Sequence, residues 1–435
     1  MKLFLFLFYE TAKLLVWIVR WFYYARRTLV NAQMRDYKGP VILASNHPGT
    51  LMDPLNVAVL MNRRVNFLAN ASLFKTRFGN WFFSNFYCIK VERYLDTGGK
   101  PIDNKKAFQM ATDYLTGGGC LYVAPEGGSY GGRFVKKVKT GPARIALNTE
   151  AANDFQLGLV ILPIGLNYSE PGKFRSELLT DMGGPIRVAD FKEDWEKDQK
   201  EAVRKLTLHL KEKLAEQLIY AADEAEDELL KKAETILASE NMLPPQPTYF
   251  RSKKTLQHLQ YLRSKKPVVY ESFSEKINDY FAGLHKRNIV DASVKENTSA
   301  HWLLIIILFP FFLIGYLVHF LPAFLASKLS DKFSSDPVWV PTIKILGGLI
   351  IYPVVLWLQY LILKKVFGGI GDFGFYLKWG YVPGFFLFGW VAELFLKKWR
   401  LFVSKRNWKR FKAEKPAASG RLLNLRDEIL QVLSA

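Results

Sequence analysis

Cysteine is scarce in this sequence: among 435 residues only Cys88 and Cys120 carry a thiol, and neither has a second Cys or a His at zinc-ligand spacing. A secreted disulfide scaffold and a zinc finger are therefore excluded, and free thiols fit the reducing side of a membrane. Cys120 opens the apolar run Leu121, Tyr122, Val123, so both cysteines read as buried strand residues. Acidic residues are also in deficit, at 40 Asp plus Glu against 60 Lys plus Arg, giving a formal charge of +20 and a pI near 9.6. Internal repeats are lacking too. With 49% apolar and 23% charged residues the chain is far from the composition of a disordered one. A mean hydropathy of +0.01 averages over two different parts, a polar one and an apolar one.

The apolar part is near the C-terminus. Residues 302–325 contain no Asp, Glu, Lys or Arg over 24 positions, more than the ~20 a helix needs to cross a bilayer. Residues 345–363 give 19 uncharged positions between Lys344 and Lys364. The third segment, 379–392, has only 14 and includes Gly380, Pro383, Gly384 and Gly389, which suits a re-entrant segment; a third span is the alternative. Eight basic residues from Lys397 to Lys412 follow, with no acid after Glu393 until Glu414, so the tail 397–435 is expected to be cytoplasmic. A cytoplasmic polar domain before residue 301 then calls for an even number of crossings within 301–396.

Residues 1–30 look apolar but are interrupted by Glu10, Lys13 and Arg20. At about 100° per residue Lys2, Lys13, Arg20 and Arg27 fall on one edge of a helix, leaving a wide face of Leu, Phe, Val, Ile and Trp. An interfacial helix with a narrow basic stripe toward anionic headgroups is expected, rather than a signal peptide.

Between these elements short β-branched runs alternate with amphipathic stretches. Strands are expected at 41–44, 65–69, 89–91, 120–124 and 160–166, and helices at 104–115 and 142–148. That alternation predicts an α/β fold with a mostly parallel sheet flanked by helices over 38–190. Residues 191–300 turn rich in Lys, Glu, Ala and Leu, as in a helical cytoplasmic extension, with the stiff run 243–247 inside it.

Chemistry concentrates at strand ends. Ser45-Asn46-His47-Pro48-Gly49-Thr50-Leu51-Met52-Asp53-Pro54 follows the first of these strands, so His47 falls at a carboxyl end, where open α/β sheets hold ligands. Pro54 suits the first residue of a helix and makes Asp53 a natural N-cap; the intervening Pro and Gly also let the loop fold back so that Asp53 faces His47. A carboxylate against an imidazole fixes its tautomer and raises its basicity. Pro125-Glu126-Gly127-Gly128-Ser129 follows the 120–124 strand, with glycines that expose N–H groups to an anion. Lys136, Lys137 and Lys139 lead into Pro142 at a helix start, a ready phosphate site. Arg93 closes the run Ile89-Lys90-Val91-Glu92-Arg93 with a fork that can hold phosphate bidentately.

These four pieces, in this order, resemble the phospholipid and glycerol acyltransferase family. Asn46, His47 and Asp53 are similar to its His–Asp block, Cys88 to Arg93 to its second block, Pro125 to Ser129 to its third and Val160-Ile161-Leu162-Pro163 to its fourth. Two departures narrow the resemblance. Five residues rather than the usual four separate His47 from Asp53, and Gly128-Ser129 stand where Thr-Arg is usual. Together with Gly165-Leu166-Asn167-Tyr168 and Lys173-Phe174-Arg175-Ser176, they resemble the glycerol-3-phosphate and dihydroxyacetone-phosphate acyltransferase branch.

The resemblance implies transfer of an acyl group from acyl-CoA or an acyl-carrier protein to a glycerol phosphate hydroxyl, with no cofactor and no metal. It implies His47 and Asp53 as the catalytic pair. Arg93, Gly127, Gly128, Ser129 and Lys139 would hold phosphate, Glu126 would orient the glycerol, and Arg175 or Lys139 would replace the missing Arg. The enzyme would sit on the cytoplasmic face of a bacterial inner membrane or of the endoplasmic reticulum, in a bilayer with anionic lipids. A lyso-lipid such as lysophosphatidate is the alternative acceptor. Outside enzymes, basic residues interleaved with Trp399, Phe402, Trp408 and Phe411 also suit a membrane scaffold or nucleic acid. Their position after an apolar segment favours lipid, and no nucleic-acid partner is expected. At matched salt the protein is expected to bind anionic vesicles and to leave single-stranded nucleic acid free in a co-sedimentation assay.

Overall fold

The computed structural model describes residues 2–92, 103–129, 131–133, 137–240, 248–295, 302–333, 338–367 and 373–434. Arg93, Lys136 and the run 243–247 lie outside them. Two compact units are formed, one from Met1–Ala221 with Asp336–Thr342, the other from Ala222–Ser335 with Ile343–Ala435.

The first unit opens with α1 (Lys2–Tyr23), which passes without a linker into β1 (Tyr24–Val30). Then follow β2 (Val41–Ser45), α2 (Met52–Ala58), β3 (Asn66–Asn70), α3 (Arg77–Asn85), β4 (Cys88–Val91), α4 (Lys105–Thr116), β5 (Cys120–Val123) and α5 (Gly141–Ala151). β6 (Val160–Tyr168), β7 (Ser176–Met182), β8 (Ile186–Arg187), α6 (Lys192–Lys197) and α7 (Gln199–Glu216) complete it. The strand order is β1-β7-β6-β2-β5-β3-β4, with β8 paired to β6. Pairing is parallel except that β6 runs antiparallel to β7 and β8. This is the mostly parallel α/β sheet expected, with β2 at its middle and every residue of β2 buried.

Three expectations need correction. Residues 24–30 are an edge strand rather than the end of a helix: β1 pairs Thr28 with Leu179 and Val30 with Asp181, and that tertiary pairing overrides the helical periodicity. The basic stripe also does not face outward as a set. Lys13 Nζ donates to the Met61 carbonyl at 2.7 Å, and Arg20 is only 6% exposed. Apart from Glu10 and Thr11, the residues of α1 described as exposed are apolar, among them Leu3, Phe4, Leu7, Leu14, Trp17, Ile18 and Trp21. The compact unit also runs past residue 190, because Leu206, Leu210 and Leu214 of α7 are buried in the same core as Ile42, Leu121 and Ile161.

The second unit is helical: α8 (Glu224–Ser239), α9 (Thr248–Lys265), α10 (Pro267–His285), α11 (Trp302–Phe333), α12 (Val340–Phe367, from Ile343 on), α13 (Phe373–Glu414) and α14 (Pro416–Ser434). Its polar part is tied by Arg426 of α14, whose guanidinium pairs with Asp291 at 2.9 Å and Glu240 at 2.5 Å. Tyr280 adds a hydroxyl to Asp291 at 2.5 Å. Among the described residues three helices are long and apolar enough to cross a membrane: Trp302–Phe333, Val340–Phe367 and Trp379–Glu414. The third is thus not a 14-residue re-entrant piece. The apolar sequence resumes after Glu393 at Leu394, Phe395 and Leu396, Glu393 pairs with Lys397 at 2.6 Å, and Pro383 is accommodated inside the helix. With three such helices the even count no longer follows from segment length. α11 and α13 run antiparallel, Phe312 stacking on Phe395 and His319 on Phe385. The basic end of α13 accordingly meets the residues that precede α11, with Ser404 accepting from the Val290 N–H at 2.8 Å.

Burial pushes the thiols of Cys88 and Cys120 up to about 12. At pH 8 the thiolate fraction is then on the order of one in ten thousand, too small for nucleophilic reaction. Both cysteines are expected to remain unmodified when the folded protein is treated with iodoacetamide at pH 8, and to react fully after unfolding, as read by mass spectrometry.

Candidate active site

The site grows from the end of the central strand. Asn46 prolongs β2 with its side chain: Nδ2 donates to the Leu166 carbonyl at 3.0 Å, and Oδ1 accepts from the Leu166 N–H at 2.8 Å. This two-way clamp to β6 fixes where His47 leaves the sheet. On the other flank Ser45 Oγ meets the Tyr122 hydroxyl of β5 at 2.8 Å. The His47 N–H donates to Glu126 Oε1 at 3.3 Å. Glu126, only 4% exposed, therefore buttresses the histidine loop in addition to whatever it offers a ligand.

Asp53 receives the imidazole. His47 Nδ1 lies 2.9 Å from Asp53 Oδ2, which also accepts the Gly49 N–H at 2.6 Å, while the Tyr168 hydroxyl donates to Oδ1 at 2.6 Å. The carboxylate is wholly buried, whereas the His47 side chain keeps 18% of its surface exposed. Asp53 sits in the first turn of α2 and does not cap it; Leu51 holds the cap position, without a side-chain bond. The carboxylate is turned instead to His47 and Gly49. Gly49 has to be glycine, since a Cβ there would lie 2.8 Å from Asp53 Oδ1. Thr50 makes the turn at φ 49°, a sparsely populated conformation for a residue with a Cβ, and its hydroxyl bonds that of Thr342. Asn56, one turn further along α2, donates to the hydroxyls of Tyr168 at 2.9 Å and Tyr24 at 3.1 Å. Burial first, and then the charge of Asp53, push the Tyr168 hydroxyl well above its ordinary range, so it stays a donor.

The remaining expected residues fall into three groups. Gly127 adopts φ 71°, as its turn requires, and Lys139 is tied to the same turn: its N–H donates to the Pro125 carbonyl at 2.7 Å, and its Cγ lies 3.4 Å from where a Gly127 Cβ would be. Gly128 and Ser129 continue from it. The structure thus gathers Glu126 with His47, and Lys139 with the glycine turn. Arg175 lies elsewhere, just before β7 and two strands over from β2, where its N–H donates to the Tyr23 carbonyl and its charge acts on Arg27. Arg93 is outside the described residues. Sequence reasoning missed Tyr168, Asn56 and Tyr24 as supports of Asp53. A polar residue three positions beyond Asp53 on the buried face of α2 was the available signal for Asn56.

A buried carboxylate held by backbone and tyrosine donors, orienting an imidazole at the carboxyl end of a central parallel strand, is the arrangement of a general base. The profile described as Acyltransferase matches residues 26–167, from β1 to the end of β6, so this part of the chain is similar to that family. It is similar to glycerol-3-phosphate O-acyltransferase 2 of Saccharomyces cerevisiae, 36% identical over 108 residues, which are 25% of this chain and 14% of that protein. Glycerol-3-phosphate O-acyltransferase 1 of the same yeast is 30% identical over 87 residues, covering 20% of this chain and 11% of that one. The match thus spans about one seventh or less of these relatives. Among solved structures, the 1-acyl-sn-glycerophosphate (LPA) acyltransferase of Thermotoga maritima covers 46% of this chain and 79% of its own at 18% identity, with a TM-score of 0.33, too low to bear on function.

Removing the Tyr168 hydroxyl leaves Asp53 Oδ1 buried without its donor, a loss of about 1–3 kcal/mol. Tyr168→Phe is expected to lower the thermal unfolding midpoint, while Tyr24→Phe, which leaves Asp53 its direct donors, lowers it less.

Proposed function

We propose that this protein is a membrane-bound O-acyltransferase that moves a fatty acyl group from an acyl thioester to a hydroxyl of glycerol-3-phosphate or dihydroxyacetone phosphate. One observation carries the reading: the His47–Asp53 pair at 2.9 Å, set at the end of β2 inside the acyltransferase-family region. The names of the two yeast relatives support the acceptor class. With Nδ1–H donated to Asp53, the other ring nitrogen of His47 keeps its lone pair for a substrate hydroxyl. That nitrogen takes the hydroxyl proton as the oxygen attacks the thioester carbonyl carbon. The C–S bond then breaks, and the leaving thiolate takes the proton back from His47, so that an ester and a free thiol result with no acyl-enzyme. Glu126, Gly127, Gly128, Ser129 and Lys139, with Arg93, are assigned to the acceptor phosphate and glycerol.

The thioester donor in this proposal is acyl-CoA or an acyl-carrier protein, and no cofactor takes part. The catalytic layer faces the cytoplasm, a reading supported by the unpaired cysteines and by the basic residues that follow Glu393.

The test uses the purified full chain with labelled acyl-CoA or acyl-carrier protein against glycerol-3-phosphate, dihydroxyacetone phosphate and lysophosphatidate. A labelled monoacyl product from one of the first two acceptors is expected, and His47→Ala should lower kcat about 1,000-fold, within the range general-base removal produces. Turnover on lysophosphatidate alone would assign the acceptor to the lyso-lipids. Full turnover by His47→Ala would remove the histidine from the reaction.

A further inference from the structure

A cavity in the first unit is lined by residues of α1, β1 and β7. It has a volume of about 240 Å³ and is lined by Arg20, Arg27, Thr180, Trp17, Trp21 and Leu60, among others. No carboxylate lines it. Arg20, in the last turn of α1, is 94% buried, its exposure being 6%, and its Nε has no hydrogen-bond partner. The Thr180 hydroxyl, 1% exposed, is likewise without one. Arg27 spends one nitrogen on the carbonyls of Arg20, Trp21 and Tyr24, closing the end of α1, and stands over the Trp21 ring at 5.9 Å. A guanidinium taken out of water without a counter-charge is strongly unfavourable, and here the nearby charges of Arg27 and Arg35 are of the same sign. Burial brings Arg20 down to about 10, which still leaves it charged at neutral pH.

We propose that this cavity binds the phosphate of a monoester dianion, held by the Arg20 and Arg27 guanidinium groups and the Thr180 hydroxyl, at a site separate from the one that presents the acceptor to His47. Two guanidinium groups match a dianion, and their planar forks suit phosphate oxygens. The volume falls below the roughly 300–1,000 Å³ of pockets that engulf drug-sized ligands, so a headgroup fits and an acyl chain does not. Trp17 and Trp21 are 55% and 53% exposed and belong to the apolar face of α1, which offers a chain a route outward. The shared chemistry is a phosphate monoester, which reaches the site either as a membrane lipid such as phosphatidic acid or as a soluble ester. Separation from the catalytic side follows from the bonds: Asp53 Oδ2 faces His47, while Oδ1 faces Tyr168, which Asn56 links to Tyr24 in the turn after Arg20.

The experiment compares wild type with Arg20→Met by thermal unfolding of the full chain in neutral detergent, titrated with inorganic phosphate or glycerol-3-phosphate, and in nanodiscs with or without phosphatidic acid. Wild type is expected to gain stability with the anion. Arg20→Met should start at the same midpoint or higher, because a buried unpaired charge is gone, and should gain less than wild type, keeping only the part that anion binding at the acceptor site supplies. A gain from the soluble anions that Arg20→Met loses assigns a soluble ester, and a lost gain seen with phosphatidic acid alone assigns the lipid. The KM for the acylation acceptor should be the same in both proteins; a parallel rise in KM would overturn the claim of a separate site. No gain in wild type, or an equal gain in Arg20→Met, would overturn the anion site. If Arg20→Met does not fold, Thr180→Val and Arg27→Gln report instead, and an undiminished gain in both would be equally fatal.

Discussion

The structure around the candidate site depends on one buried charge. Asp53 is 0% exposed, and a carboxylate so placed has to be compensated on all sides. Its three partners come from two elements: His47 and Gly49 from the loop after β2, and Tyr168 from the end of β6. The five-residue spacing between His47 and Asp53 becomes intelligible in these terms, since the loop has to return far enough for the Gly49 N–H to reach the same oxygen as the imidazole. Thr50 takes up the left-handed turn that makes this possible. Through Asn56 the compensation extends to Tyr24, so β1 at the sheet edge is tied to the same charge.

Several residues that resemble ligands in sequence act first as scaffolding. Asn46 copies a strand pairing with its amide, and Glu126 accepts a backbone N–H from His47. These contacts to the main chain hold the His47 loop in place before any ligand arrives, at little cost in side-chain freedom. Arg175 illustrates the opposite case: a residue placed in the phosphate machinery by resemblance is found at the α1–β1 junction.

Much of the sheet was legible because β2, β5 and β6 are short apolar runs that end in turn residues. β1 was not, because Arg26 and Arg27 continue the basic periodicity of α1 and nothing local announces the pairing with β7. β7 itself, Ser-Glu-Leu-Leu-Thr-Asp-Met, hides its burial behind polar side chains that are accommodated only in the folded sheet. Of the site, His47 and Asp53 were readable from seven residues of local sequence. Tyr168, 115 residues from Asp53, was not, since no spacing rule reports which side chains a sheet brings together. Arg20 misled for a related reason: helical periodicity assigned it to a polar stripe, whereas the residues around it include Thr180 of β7, 160 positions away in sequence. The third apolar helix was underread because its glycines, Pro383 and Glu393 break the run in sequence but not the helix.

The passage from α1 to β1 has a mechanical consequence. Tyr23 is the last residue of the helix and Tyr24 the first of the strand, so no hinge residue separates an amphiphilic surface element from the sheet that carries the His47–Asp53 pair. A bilayer that takes up the exposed face of α1 takes the tilt and height of the sheet with it. Such a unit would work at one fixed depth, like a keel bolted to its hull, and lengthening the junction by a few flexible residues would let the histidine wander relative to the lipid surface without altering a single contact inside the site.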